Sequence, residues 1–340
     1  MTRRELLLGA AAATPAFGLP STGMGIATTS LMTARRPHDT YEFLEYCHSL
    51  GAGGIQASLA SLDPDYLKKL RARAEQLGMY IEVMAELPKQ DDTSAFESTV
   101  RAAKNAGALC VRCAALGGRR YENFFNLSDW QSFVTRSLAA IDRALAVATR
   151  EQLPLAIENH KDWTAEELAA LMKQKSSEYL GACLDTGNNI ALLDDPMDTI
   201  EMLAPYAVST HFKDMAVEPY ADGFLLSEVP LGEGIIDLKR AISAVQHARP
   251  KTRFTLEMIT RNPLQVPCLT DKYWVTFPGR NGKYLASMLR MVHRATTRLQ
   301  HLPTVDHESP AGLLQLEEEN IKQCLYYART QLGLVAQGHA

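Results

Sequence analysis

Leu155-Ala-Ile-Glu-Asn-His160 reads as a short buried strand that ends in a carboxylate. Three later runs repeat the pattern: Ala182-Cys-Leu-Asp-Thr-Gly187, Val208-Ser-Thr-His-Phe-Lys213 and Phe254-Thr-Leu-Glu-Met258. Each ends in a group that can bind a metal, namely Glu158, Asp185, His211 and Glu257, and the separations are 27, 26 and 46 residues. The first two separations equal one strand-plus-helix unit, and the third equals one unit plus an insertion. Charged groups at the carboxyl ends of successive parallel strands mark the catalytic face of a (β/α)8 barrel.

Working outward, the same alternation runs through the chain. Strands are predicted at 25–32, 54–58, 79–85, 108–114, 155–159, 182–185, 208–212 and 254–258. Amphipathic stretches between and after them predict helices at 39–50, 64–77, 93–106, 128–151, 164–174, 196–203, 238–247 and 283–299. Ser128 with Gln131, and Thr164 with Glu167, have capping-box spacing, and Gly51, Gly78 and Gly107 close three of the helices. Eight strands alternating with eight helices make the fold class α/β, a (β/α)8 barrel. A doubly wound open sheet would want a glycine-rich phosphate turn after the first strand, and none is present. Insertions at 215–237 and 262–280 follow strands seven and eight and should overlie the catalytic mouth. The barrel is expected over 21–300, with a C-terminal helical extension over 301–340 that is helical at about 312–334.

The N-terminus begins Met1-Thr-Arg-Arg-Glu-Leu-Leu-Leu-Gly-Ala-Ala-Ala-Ala-Thr-Pro-Ala16. An arginine pair, a weakly apolar run and small residues in that order predict a twin-arginine export signal over 1–20 and a periplasmic location. The run is too short for a stable membrane anchor. With 340 residues, 46% apolar content, 35 basic and 39 acidic residues and a net charge of −4, the chain can build one large core and shows no nucleic-acid footprint. Homo-oligomerisation stays open. Of six cysteines, Cys110 and Cys113 form a CxxC, but three residues apart on a strand they face opposite sides, so buried packing is expected rather than a zinc or redox site.

Two glutamates, an aspartate and a histidine make an oxygen-rich ligand set. It suits one divalent metal, Mn²⁺ or Mg²⁺, with Co²⁺ or Zn²⁺ also able to bind. Four protein ligands leave two octahedral positions for substrate oxygens. Other inward candidates surround them. His160 shares strand parity with Glu158 and either binds substrate or orients a ligand. Lys213 shares parity with His211 and either neutralises an enolate or carboxylate or lies solvated at the rim. Arg112 and Arg261 either clamp an anionic group or form structural ion pairs.

The set Ile157-Glu-Asn-His160, Leu184-Asp-Thr-Gly-Asn188, Thr210-His-Phe-Lys-Asp214, Pro230-Leu-Gly-Glu-Gly-Ile-Ile-Asp237 and Leu256-Glu-Met258 resembles the xylose isomerase-like TIM-barrel superfamily, in its sugar phosphate isomerase/epimerase branch. The resemblance covers about residues 24–300. It implies that Glu158, Asp185, His211 and Glu257 bind one divalent metal and that the two glutamates also move protons next to a carbonyl. Asn188, a further substrate-binding candidate, stands where related epimerases often carry histidine. The arginine those epimerases place soon after the strand-seven aspartate is replaced by Met215-Ala-Val-Glu218.

The expected function is therefore a metal-dependent isomerase or epimerase of a small keto-sugar or aldose, working through an enediolate. The alternative is a metal-dependent lyase that decarboxylates, dehydrates or eliminates a glycoside from a 3-keto sugar or sugar acid. A noncatalytic carbohydrate-binding protein would not need two glutamates. A repair endonuclease would need more histidines and a basic face. The expected partner is a small carbohydrate, with no nucleic acid.

Overall fold

The computed structural model describes residues 22–32, 39–296 and 301–335. The export-signal expectation, including Arg3 and Arg4, lies outside the described residues. Eight parallel strands form the barrel: β1 Gly25–Ala27, β2 Gly54–Ala57, β3 Tyr80–Met84, β4 Val111–Cys113, β5 Leu155–Glu158, β6 Leu180–Asp185, β7 Ala207–His211 and, after an insertion, β10 Thr255–Leu256. The order is β10-β1-β2-β3-β4-β5-β6-β7, and the barrel closes through a parallel bridge between Phe212 and Leu256. Phe212 N donates to Thr255 O at 2.8 Å, and Glu257 N to Phe212 O at 3.2 Å. These pairs place Glu257 beside the end of β7.

The period of two along each strand decides which residues enter the barrel. Odd and even positions separate into two apolar sets. Ile55, Ile81, Val83, Val111, Leu155, Ile157, Leu184, Phe212 and Leu256 belong to the large core beneath the helices. Cys110, Ala156 and Cys183 form a separate small cluster inside the barrel. Glu158 and Asp185 share the parity of Ala156 and Cys183, so each strand buries its apolar side outward and aims its last inward residue at one point.

The helices start where the sequence supplies caps. Asp39, Asp63 and Asp195 accept backbone N–H groups at the heads of α1 (Thr40–Ser49), α2 (Pro64–Leu77) and α7 (Pro196–Leu203). The reciprocal Thr164–Glu167 capping box opens α6 (Ala165–Lys175). The expected Ser128 start is corrected. The long helix α5 spans Leu127–Glu151 and is capped by Asn126, whose side chain accepts from Asp129 N. Gly78 closes α2 with φ of 66°, a conformation that glycine adopts without the clash a Cβ would bring.

Strand one is shorter than predicted. After Ala27 the chain turns into a 3₁₀ helix, Thr28–Ser30, because Ser30 Oγ donates to Leu256 O and Thr29 Oγ donates to Glu257. Side-chain bonds to the neighbouring strand end replace the ladder there. The first insertion is a hairpin, β8 Asp214–Tyr220 and β9 Gly223–Val229, joined antiparallel by β11 Leu264–Val266 from the second insertion. Helix α10 spans Gly282–Thr296, and the C-terminal extension is α11, Pro310–Thr330. Among the described residues no helix is long and apolar enough to cross a membrane. All six cysteines are buried and free.

Asp214 ties the hairpin to the loop after it. Its carboxylate accepts from the backbone N–H of Met215 at 2.9 Å, Gly232 at 3.0 Å, Gly234 at 2.9 Å and Ile236 at 3.2 Å. A Cβ on Gly234 would meet Asp214 Oδ1 at 2.2 Å, so only glycine lets the loop approach this closely. Asp214→Ala leaves four buried donors without their acceptor. It is expected to lower stability by about 2–4 kcal/mol, measured as the shift in the urea unfolding midpoint. An unchanged midpoint contradicts this role.

Candidate metal centre

Glu158, Asp185, His211 and Glu257 converge, and each offers a ligand atom within 4.8 Å of all the others. All four are buried. His211 Nδ1 is the hub. It lies 3.3 Å from Glu158 Oε1, 3.2 Å from Glu257 Oε1 and 3.8 Å from Asp185 Oδ2. His211 Nδ1 is buried without a hydrogen-bond partner, and Asp185 Oδ2 faces it with the Lys213 ammonium 2.9 Å away on its other side. A buried imidazole nitrogen ringed by three carboxylates is costly unless a proton or a cation lies between them. Together they make a hard donor set that fits one divalent cation.

Backbone and side-chain hydrogen bonds orient this set. Asp185 Oδ1 accepts from Gly187 N and Asn188 N, both at 2.8 Å, which leaves Oδ2 facing the cluster. The Asn159 side chain bridges the ends of β5 and β6, accepting from Asp185 N and donating to Asp185 O, both at 2.8 Å. Asn188 Nδ2 donates to Glu158 Oε1 at 3.0 Å, and Thr29 Oγ donates to Glu257 Oε1 at 2.8 Å.

Cations cover the other side of the carboxylates. Arg112 donates to Glu158 Oε2, so its guanidinium engages one of the converging carboxylates rather than standing free. Lys213 is wholly buried, so the reading of a solvated rim lysine is corrected. The inward parity of β7 carries it past His211 into the cluster. Its ammonium donates to Glu257 Oε2 and sits 2.9 Å from Asp185 Oδ2. Burial disfavours that charge, but Asp185, Glu257 and Glu228 outweigh the cost and hold Lys213 above its ordinary range. Glu257 is held well below its ordinary range: burial opposes this, and His211 and Lys213 outweigh it. Arg261 pairs with Glu228 at 2.7 Å, and Glu228 Oε1 lies 3.9 Å from Lys213 Nζ. His160 is half-buried with its Nδ1 enclosed and unpartnered, and desolvation together with Lys161 and Arg112 pushes its pKa down to about 3, so it is a neutral imidazole.

Sequence reading missed two charged members. Lys161 adopts φ of 62°, which turns its side chain back toward the mouth, where it donates to Asn188 Oδ1. Burial, with Lys213 nearby, lowers its pKa to about 8. Asp162 fixes this turn by accepting from His160 N, Trp163 N and Leu116 N. Glu228 comes from the inserted hairpin, where no strand-end rule pointed to it. A cavity of about 350 Å³ adjoins Glu228 and Arg261, with Asn320 and Gln323 of α11 on its far side.

Residues 44–278 match the family described as xylose isomerase-like TIM barrel. Among curated proteins, 3-oxo-isoapionate decarboxylase of Pectobacterium atrosepticum is 28% identical over 200 residues, which span 57% of this chain and 68% of that protein. Among solved structures, 3-keto-D-glucoside 4-epimerase of E. coli superposes with a TM-score of 0.54 at 12% identity, covering 79% of this chain and 100% of the other. A xylose isomerase-like TIM barrel protein of Mycobacterium smegmatis in complex with magnesium gives 0.53 at 15% identity, covering 79% and 98%. These structural likenesses carry the fold.

Proposed function

From the premise that this chain belongs to the xylose isomerase-like TIM barrel family, we propose that it is a divalent-metal-dependent lyase that decarboxylates a small 3-oxo sugar acid. One observation carries the choice of lyase. The second oxygen of each glutamate, the one not facing His211 Nδ1, is covered by a cation: Arg112 on Glu158 and Lys213 on Glu257. A carboxylate held this way is a weak base, poorly placed to take a proton from carbon. Decarboxylation needs no base. The bond from carbon to the substrate carboxylate breaks, carbon dioxide departs, and the electron pair moves onto the neighbouring keto oxygen.

Charge balance supports the same reading. Glu158, Asp185, Glu257 and Glu228 are matched by Arg112, Lys213, Lys161 and Arg261. A bound divalent cation, Mn²⁺ or Mg²⁺ in our reading, adds two positive charges and supplies Lewis-acid stabilisation to the keto oxygen. The excess suits an anionic substrate and an anionic enolate. Lys213 stabilises the developing charge, and Lys161 delivers the proton that replaces the carboxylate on carbon. The relative named for decarboxylating 3-oxo-isoapionate supports the substrate class. The expected twin-arginine leader would place the reaction in the periplasm, on an unphosphorylated substrate.

Isomerisation or epimerisation is the second reading, favoured by the two glutamate Oε1 atoms at 3.3 and 3.2 Å from His211 Nδ1. It requires Arg112 and Lys213 to release the glutamates. Incubating Mn²⁺-loaded protein with 3-oxo sugar acids in ²H₂O separates the readings. Loss of carbon dioxide with one deuterium gained supports the lyase, whereas exchange with conserved skeletal mass supports the isomerase.

The pH dependence follows from Lys161. Its pKa is lowered to about 8, so the ammonium is fully present below that value and lost above it. Activity is expected to fall roughly tenfold per unit above about pH 8. Lys161→Met should be slow at every pH and lack this limb; if the limb persists in the variant, Lys161 is not the donor.

A further inference from the structure

Beneath the ligands the barrel floor is polar. Gln56, Glu82, Ser209 and Thr255, from four different strands, are all fully buried there. Gln56 Nε2 donates to Glu82 Oε2 at 2.9 Å and to Ser209 Oγ at 3.2 Å. Ser209 Oγ in turn donates to Glu82 Oε2 at 2.7 Å, and Thr255 Oγ1 does so at 3.3 Å. The remaining atom of the Gln56 amide, Oε1, meets His211 Nε2.

We propose that Gln56, anchored by Glu82, is the positioning residue that fixes the His211 tautomer and so readies Nδ1 for a metal. The inference rests on reading His211 as a metal ligand, and its logic is directional. Ser209 gives its only proton to Glu82, so toward Gln56 it can only accept. Glu82 Oε2 accepts from three donors. Both protons of the Gln56 amide are thereby committed, and its oxygen must face His211. An amide oxygen has no proton to give, so Nε2 carries a proton, and Nδ1 is the nitrogen left to release its proton and bind a metal. Nδ1 is the one that faces the carboxylates. Reversing the amide would break two buried hydrogen bonds and turn an N–H₂ toward Nε2, which would favour a proton on Nδ1 and exclude a metal. The relay also explains why Glu82 is buried in the barrel with no lysine or arginine paired to it among the described residues. An apolar side chain could fill the space, but it could not hold Gln56.

Two measurements on metal-free, ¹⁵N-labelled protein and one titration test this. Two-bond ¹H–¹⁵N spectra of the parent should show His211 with the proton on Nε2. Gln56→Met keeps the volume and removes the acceptor, so both tautomers should appear and Mn²⁺ affinity, by calorimetry, should drop about 10–100-fold. Glu82→Gln retains an accepting oxygen and should bind Mn²⁺ much as the parent does. A parent whose Nε2 carries no proton overturns the relay without any variant, as does a folded Gln56→Met protein with parental affinity and tautomer. A parent that binds no Mn²⁺ overturns the metal reading instead, and the tautomer spectrum still judges the relay.

Discussion

Lys213→Met is expected to separate metal binding from turnover. The buried ammonium neutralises Asp185 and Glu257. Without it, buried negative charge is uncompensated, and the metal-free protein should lose about 3–5 kcal/mol of stability. A divalent cation repairs that imbalance, so Mn²⁺ should bind as tightly as in the parent or more tightly, and should restore much of the lost thermal stability. Turnover should nevertheless fall by about 10²–10³-fold, because the cation beside the developing enolate is gone. Calorimetry and product assays on the same preparation read both effects. A variant that loses metal affinity in step with activity would make Lys213 a structural support of the ligands and nothing more.

Glu257→Gln should give the opposite pattern. It removes one of the four converging oxygens and one of the three carboxylates around Lys213, while Asp185 still holds the ammonium 2.9 Å away and Glu228 lies at 3.9 Å. The metal-free fold should change little, since a buried charge is removed rather than stranded. Mn²⁺ affinity should drop by at least about 10²-fold, beyond the effect typical of residues that only support a ligand. Activity at ordinary metal concentrations should fall by about 10³-fold. Excess Mn²⁺ should recover part of it if ligation is the main role of Glu257. Failure of any metal concentration to recover activity would point to proton transfer by this glutamate and strengthen the isomerase reading.

The barrel and its four central residues were legible because one rule governs them. A parallel strand covered on both faces must be apolar along its length. A single charged or imidazole group at its carboxyl end stands out against that background, and regular spacing places four such ends side by side. The cations were legible in position but not in pairing. Arg112 lies one inward step along β4, level with Ala156 of β5, which is why it reaches Glu158, two residues farther along the same face. Lys161 and Glu228 were not legible. One depends on a left-handed backbone angle in a loop, and the other on hairpin pairing inside an insertion that sequence reading left without structure. Thr29 was hidden because residues 25–32 read as continuous strand, whereas serine and threonine bonds to the eighth strand end turn the chain early. Gln56 and Glu82 were passed over because polar groups inside short strands look like ordinary surface until the barrel closes around them.

Equilibrium dialysis of Mn²⁺ against the purified parent and a His211→Ala variant tests the central claim, a single metal held by Glu158, Asp185, His211 and Glu257. One tightly bound ion per chain is expected in the parent and none at the same concentration in the variant. A parent that retains no ion, or a variant that retains one as tightly, would contradict it.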